Sequence, residues 1–161
     1  MTAADMTTPA PGAGAADAEL PFFVYGTLLP GEPNHDLFLR GRTAEERPAV
    51  LPRALLYDGP GYPYAIEGHG RVHGTLLVAA PGVYGELLGL LDHLEEFLGP
   101  GHPRNLYERV VREVEPRDSG DGGSVRAWVY LAAAAVTRSL RTGGVLIPEG
   151  RWITGRTRDG S

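Results

Sequence analysis

Cysteine and lysine are both absent from this chain of 161 residues. Without cysteine, the protein can have no disulfides, no thiolate nucleophile and no cysteine-based zinc or redox motif. All 15 basic residues are arginines, they are scattered along the chain, and the formal net charge is -5. Because phosphate binding depends on clustered basic side chains, we expect no nucleic-acid partner.

Long apolar runs are also absent, and none approaches the length needed to cross a bilayer. Residues 1–20 are rich in Ala, Pro, Thr and Gly and contain no basic residue, unlike a secretory signal. We therefore interpret residues 1–20 as a flexible leader and expect a cytoplasmic protein with no membrane partner. The remaining sequence, residues 21–158, is predicted to form one domain, and the chain's 42% hydrophobic content is enough for a sizeable core.

Strands outnumber helices in the sequence pattern. The main helix is predicted to run from Pro81 to about Phe97, with a short helix at Asn34 to Leu39 and an irregular tail. Strands are predicted at Phe22 to Tyr25, Ala49 to Tyr57, Arg71 to Val78, Tyr107 to Val114 and Val125 to Leu131. The predicted fold class is α+β: a small mixed barrel or sheet with one main helix and short flanking helices.

Glu95 is a charged residue on the apolar face of the main helix. At about 100° per residue it falls between Tyr84 and Leu88, within the arc of leucines. A carboxylate facing the core is costly unless it is paired, hydrogen-bonded or functional. The periodicity leaves two interpretations open. Glu95 is either a structural residue, paired with an arginine such as Arg109 or snorkelling at the helix edge, or a desolvated acid/base with a raised pKa.

The segment Tyr25-Gly26-Thr27-Leu28 follows the first predicted strand directly. Gly26 permits a sharp turn and lets a ligand approach the backbone closely. Successive exposed amides, such as those of Gly26, Thr27 and Leu28, can hold a carboxylate or a developing oxyanion. An ordinary turn has the same pattern, so the segment alone predicts a site only weakly.

These features together resemble a known family. Val24-Tyr25-Gly26-Thr27-Leu28 is similar to the YGTL or YGSL signature of the gamma-glutamylcyclotransferase-like proteins. Further segments follow in that family's order: Gly61-Tyr62-Pro63, Val72-His73-Gly74-Thr75-Leu76, Leu91-Asp92-His93-Leu94-Glu95, Tyr107-Glu108-Arg109 and Ala127-Trp128-Val129-Tyr130. The sequence departs from the family at Glu96, where a glycine is usual, and in a long loop from Leu98 to Leu106.

The resemblance implies a small β-barrel with flanking helices and a cavity at one end. It also implies that the loop from Tyr25 to Leu28 binds a glutamyl group and that Glu95 is the catalytic base. Tyr25 or Tyr107 would orient the substrate. The implied reaction cleaves a γ-glutamyl amide, by cyclisation to 5-oxoproline, and releases the free amine.

No metal or other cofactor is expected for this chemistry, and the expected partner is a small γ-glutamyl substrate. One variant of this hypothesis is a tailoring enzyme that removes a γ-glutamyl protecting group from a biosynthetic amine. An alternative of another class is a binding or regulatory module that keeps the cavity without turnover.

Overall fold

A computed structural model of the chain describes residues 19–59, 62–117 and 123–152. Most of the predicted leader, Gly61, the turn residues 118–122 and the end of the predicted domain lie outside these ranges. The strands are β1 (Phe22–Val24), β2 (Thr43–Asp58), β3 (Tyr64–Ala79), β4 (Tyr107–Pro116), β5 (Val125–Ala132) and β6 (Val145–Ile147). The helical elements are α1 (Tyr84–Leu94), α2 (Ala134–Gly143) and a π-helical turn at His35–Leu39.

Five strands close into a mixed barrel, which confirms the predicted fold class. Their order is β3-β1-β5-β4-β2, and β2 pairs back with β3 to close the ring. The β1–β5 pairing is parallel and the other barrel pairings are antiparallel. β6 adds to β2 outside the ring. Closure pairs most of the strand edges that an open sheet would expose.

The core has two parts because the strands alternate their side chains. In β5, Ala127, Val129 and Leu131 pack inside the barrel. Trp128 and Tyr130 point to the other face, where they join the cluster beneath α1. The buried leucines of α1, Leu87 and Leu91, complete this second cluster. Residues of one strand therefore serve both the barrel interior and the helix that covers it.

The helix α1 is shorter than its sequence pattern predicts. Phe97 N–H donates to Asp92 O at 2.9 Å and Glu96 N–H donates to His93 O at 3.2 Å, the two bonds of a Schellman termination. Glu96 adopts the left-handed conformation that this termination needs, with φ at 53°. Leu98, placed on the apolar face by the periodicity, is 56% exposed because the helix has already ended.

The prediction of an irregular tail was wrong, because α2 and β6 occupy it. α2 buries only Leu140 and has no side-chain N-cap hydrogen bond, so its apolar face is narrow and no capping residue marks its start. β3 also begins earlier than predicted. Its glycines Gly68 and Gly70 lie against Leu55 of β2, and a Cβ at either position would clash with that side chain. These glycines are therefore needed for the close pairing of β2 and β3, and not only for a turn.

Candidate functional site

The strand register brings the predicted site residues to one end of the barrel. β1 runs parallel to β5, so Tyr25 follows β1 at the end where β5 finishes. Tyr107 begins β4 and lies opposite Ala132, the last residue of β5. The C-terminus of α1 delivers Glu95 to the same place. Three segments that are distant in sequence therefore meet because of barrel topology.

Two contiguous chambers occupy this end. The inner chamber, of about 30 Å³, is lined by all six predicted site residues, Tyr25, Gly26, Thr27, Leu28, Glu95 and Tyr107, together with Phe23, Val24, Tyr62, Pro63 and Tyr130. The outer chamber, of about 240 Å³, shares several of these residues and adds Asn34, Leu94, Glu96 and Leu106. The structure thus brings the six residues together, while their roles in binding and catalysis stay predictions.

Arg109 does not pair with Glu95. Its Nε donates instead to Asp92 Oδ1 at 2.8 Å. Within the described residues no side chain donates a hydrogen bond to the Glu95 carboxylate, and burial raises its pKa from 4.5 to about 7. The pairing of Glu95 with Arg109 is therefore excluded and its carboxyl group is desolvated, while its role as an acid/base stays a prediction.

Asp92 anchors the last turn of α1 to the barrel wall. Its Oδ1 also accepts a 2.6 Å hydrogen bond from the Tyr130 hydroxyl of β5. The guanidinium of Arg109 lies 4.3 Å from the centre of the Trp128 ring and 5.1 Å from that of Phe97. Because Glu95 lies one turn after Asp92, this network positions the Glu95 backbone relative to the barrel.

Two tyrosine hydroxyls at the inner chamber, those of Tyr25 and Tyr107, donate to main-chain carbonyls. Tyr107 OH donates to Pro63 O at 2.6 Å, and Tyr25 OH donates to Tyr130 O at 2.5 Å. Tyr25 OH also accepts from Ala65 N–H at 3.2 Å. Burial, with a further contribution from the Glu95 charge, raises the pKa of both phenols, so both stay protonated. Tyr107 oxygen still has acceptor capacity for a substrate donor.

Gly26 is required by packing against Pro63. A Cβ at position 26 would lie 2.7 Å from Pro63 Cδ. The turn here is closed by Leu29 N–H donating to Gly26 O at 3.0 Å. In the described part of the chain the N–H groups of Gly26, Thr27 and Leu28 donate no hydrogen bond, which leaves them available to a ligand.

The long loop beside the outer chamber is held by a buried amide. Asn105 is 5% exposed, and its Nδ2 donates to Gly99 O and to Glu108 Oε2, both at 2.8 Å. Its Oδ1 accepts from Leu98 N–H at 2.7 Å. This loop presents Leu106 to the outer chamber.

Sequence reasoning did not assign several lining residues. Tyr62, Pro63 and Tyr130 stand in the family-like segments, and their place in those segments was the available signal. Asn34 and Leu106 carried no comparable signal, because they follow from loop geometry. Glu96 was visible as a departure from the family pattern, and the structure places it at the outer chamber.

A larger groove, of about 460 Å³, lies where β2 and β4 diverge. Its wall includes Glu67 and Arg112, which pair across it at 2.6 Å. None of the six predicted residues lines this groove. The smaller chambers are the better candidate, because they hold the unpaired carboxylate and the available amides.

The described residues offer neither a cluster of metal ligands nor a helix that could span a membrane. Within residues 19–59, 62–117 and 123–152, no group of three or more His, Cys, Asp or Glu side chains is arranged to hold a metal ion. None of the helices in the same ranges is long and apolar enough to span a membrane.

Known proteins resemble this chain in sequence and fold. The family model described as gamma-glutamyl cyclotransferase, AIG2-like, matches residues 22–154. The gamma-L-glutamyl-butirosin B gamma-glutamyl cyclotransferase of Niallia circulans is 35% identical over 109 residues, which are 68% of this chain and 64% of that protein. The gamma-glutamylaminecyclotransferase of Bos taurus is 32% identical over 116 residues, 70% of this chain and 66% of that protein. The chain thus spans slightly less than two thirds of each relative.

A solved structure also resembles this fold. An AIG2-like protein of Mus musculus superposes with a TM-score of 0.55 and 25% identity, over 71% of this chain and 77% of that one. The family match covers every strand and helix described above. The chain therefore belongs to the AIG2-like gamma-glutamyl cyclotransferase family.

Proposed function

We propose that this protein cleaves γ-glutamyl amides by intramolecular cyclisation, producing 5-oxoproline and a free amine. The observation that carries the proposal is the unpaired Glu95 carboxylate, with a pKa of about 7, in one chamber with the available amides of Gly26 to Leu28. The names of the two relatives, a cyclotransferase for γ-glutamyl-butirosin and one for γ-glutamylamines, support the same reaction class.

The sizes of the chambers suggest how the substrate lies. An inner volume of about 30 Å³ holds only a water-sized group or two. We assign it to the α-carboxylate of the glutamyl group, which would bind the amides of Gly26, Thr27 and Leu28. The γ-amide and the leaving amine would then occupy the outer chamber, of about 240 Å³. The α-ammonium would lie between Glu95 and the oxygen of Tyr107.

The Glu95 carboxylate would take a proton from the α-ammonium, and the freed amine would attack the γ-carbonyl carbon of the same molecule. This attack closes a five-membered ring without a second reactant to position, which removes much of the entropic barrier. The carbonyl electrons move to oxygen in the tetrahedral intermediate. When they return, the bond to the leaving nitrogen breaks and protonated Glu95 gives that nitrogen its proton. The Glu95 carboxylate then takes the surplus proton from the ring nitrogen, which becomes the lactam N–H of 5-oxoproline, and that proton passes to the released amine, which leaves as an ammonium. A pKa near 7 suits a group that must both accept and return a proton.

The test is release of 5-oxoproline, measured by mass spectrometry, from a panel of γ-glutamyl amines, γ-glutamyl dipeptides and glutathione. Glu95→Gln should fold and lose roughly a hundredfold or more in kcat. Glu86→Gln is the matched control, because Glu86 is on the same helix and lines neither chamber. It should keep wild-type rates.

Near-normal turnover by folded Glu95→Gln would exclude Glu95 as the base. No product from any member of the panel would contradict the proposed reaction. If the same compounds then raised the melting temperature, the binding-module alternative would replace it.

A further inference from the structure

Glu96 stands at the mouth of the site in a conformation that side chains seldom adopt. Its φ is 53°, in the left-handed region where glycine is favoured. The backbone hydrogen bonds of Glu96 and Phe97 to the last turn of α1 fix this conformation. The direction in which Glu96 leaves the backbone is therefore set by the end of the helix.

Glu96 is one of the residues that line the outer chamber. It lies next to Glu95 in that lining and is otherwise exposed to solvent. Burial is the main cause that raises the pKa of Tyr64, and the Glu96 charge adds to it, so the Glu96 carboxylate lies near a ring that stacks on Tyr107. No ion pair joins Glu96 to a basic group in the described part of the chain.

The described lining of both chambers contains no arginine or histidine. Arg109 lies close by, but its guanidinium is held by Asp92 and two aromatic rings. When Glu95 has taken the substrate proton, Glu96 is the remaining negative charge among the residues that line the outer chamber. A group that leaves through this chamber meets a negative field that no cation among the described lining residues offsets.

We propose that the leaving amine carries a second, positively charged group, and that Glu96 selects it by binding that charge at the chamber mouth. This inference rests on the proposed cyclotransferase function, because it assigns the leaving group of that reaction. Leaving groups that end in a carboxylate are disfavoured by repulsion. Glu96 is thus a specificity residue, while Glu95 carries the proton.

Three conjugates of similar length isolate the charge: γ-glutamylcadaverine with a cationic tail, γ-glutamylhexylamine with a neutral tail, and γ-glutamylaminohexanoate with an anionic tail. We expect wild-type kcat/KM to favour the cationic over the neutral conjugate by roughly three- to fivefold, as for an exposed ion pair. The anionic conjugate should be the poorest. Glu96→Gln should abolish the difference, and Glu96→Arg should reverse it.

The control is Glu45→Gln, which removes the same charge from an exposed position of β2 that lines neither chamber. This variant should retain the wild-type preference. Added salt should shrink the preference in wild type, because a surface charge is screened. Equal kcat/KM for the three conjugates, or a preference that survives in Glu96→Gln, would overturn the inference while the cyclotransferase reaction stands.

A binding measurement separates this inference from the reaction itself. Calorimetry with the Glu95→Gln variant measures the affinity for each conjugate without turnover. One outcome is that wild type releases no 5-oxoproline, while the Glu95→Gln variant binds the cationic conjugate more tightly than the other two. If adding Glu96→Gln to that variant removes the difference in affinity, the role of Glu96 is supported and the proposed reaction is contradicted. If the variant binds none of the conjugates or all three equally, the role of Glu96 is refuted.

Discussion

Replacing Glu95 by Gln should stabilise the protein at alkaline pH even as it removes activity. Burial favours the neutral form of the carboxyl group and raises its pKa from 4.5 to about 7. Between these two values the folded protein binds more protons than the unfolded chain, so stability falls as pH rises. One pH unit corresponds to about 1.4 kcal/mol, so the loss approaches about 3 kcal/mol above pH 7. Glutamine has nearly the same shape and does not ionise.

The assay is chemical or thermal unfolding at about pH 5 and about pH 8. Near pH 5 the two proteins should have similar stability. Near pH 8 the Glu95→Gln variant should be more stable by up to about 3 kcal/mol, or roughly 6 to 12 °C in Tm for a domain of this size. Glu96→Gln removes the neighbouring exposed carboxylate and should change stability by less than about 0.5 kcal/mol at both pH values. A Glu95→Gln effect that is the same at the two pH values would refute the reasoning.

Three further outcomes are expected. Gly26→Ala puts a methyl group 2.7 Å from the Pro63 ring and should cost about 1–3 kcal/mol of unfolding free energy, measured by denaturant titration. Tyr107→Phe leaves the buried Pro63 carbonyl without its donor and should also cost about 1–3 kcal/mol of unfolding free energy, together with a raised KM. Unchanged stability of this variant would contradict the hydrogen bond between Tyr107 and Pro63. A pH–rate profile of kcat/KM should show an acid limb with an inflection near pH 7, set by Glu95, and a limb near pH 4.5 would contradict its burial.

The helix periodicity was sufficient to single out Glu95, because the 3.6-residue repeat determines which side of a helix a residue faces. It did not determine what the carboxylate contacts. Asp92, three residues earlier, takes Arg109 instead. Which acidic residue Arg109 contacts depends on where β4 and α1 cross. The periodicity of the two elements does not determine that crossing.

The end of α1 shows a second limit of pattern reasoning. A leucine at position 98 continues the apolar repeat, so the pattern predicts a longer helix than the one that forms. The glycine that usually marks such a termination is replaced here by Glu96, which adopts the same left-handed backbone. The sequence therefore lacks the glycine that would mark the end of the helix, although the helix ends there with the usual hydrogen bonds.

The parallel pairing of β1 with β5 has a consequence for how the protein is made. Phe22 and Phe23 pair with Trp128 and Val129, more than a hundred residues later in the chain. A nascent chain on the ribosome therefore cannot close the barrel until β5 has emerged, and contacts of such long range form slowly. The inner chamber is completed in that same step, because Tyr25 directly follows β1 and Tyr130 lies in β5. Until then the chamber lacks the wall that Tyr130 provides, and a half-made chain has no complete cavity for a substrate.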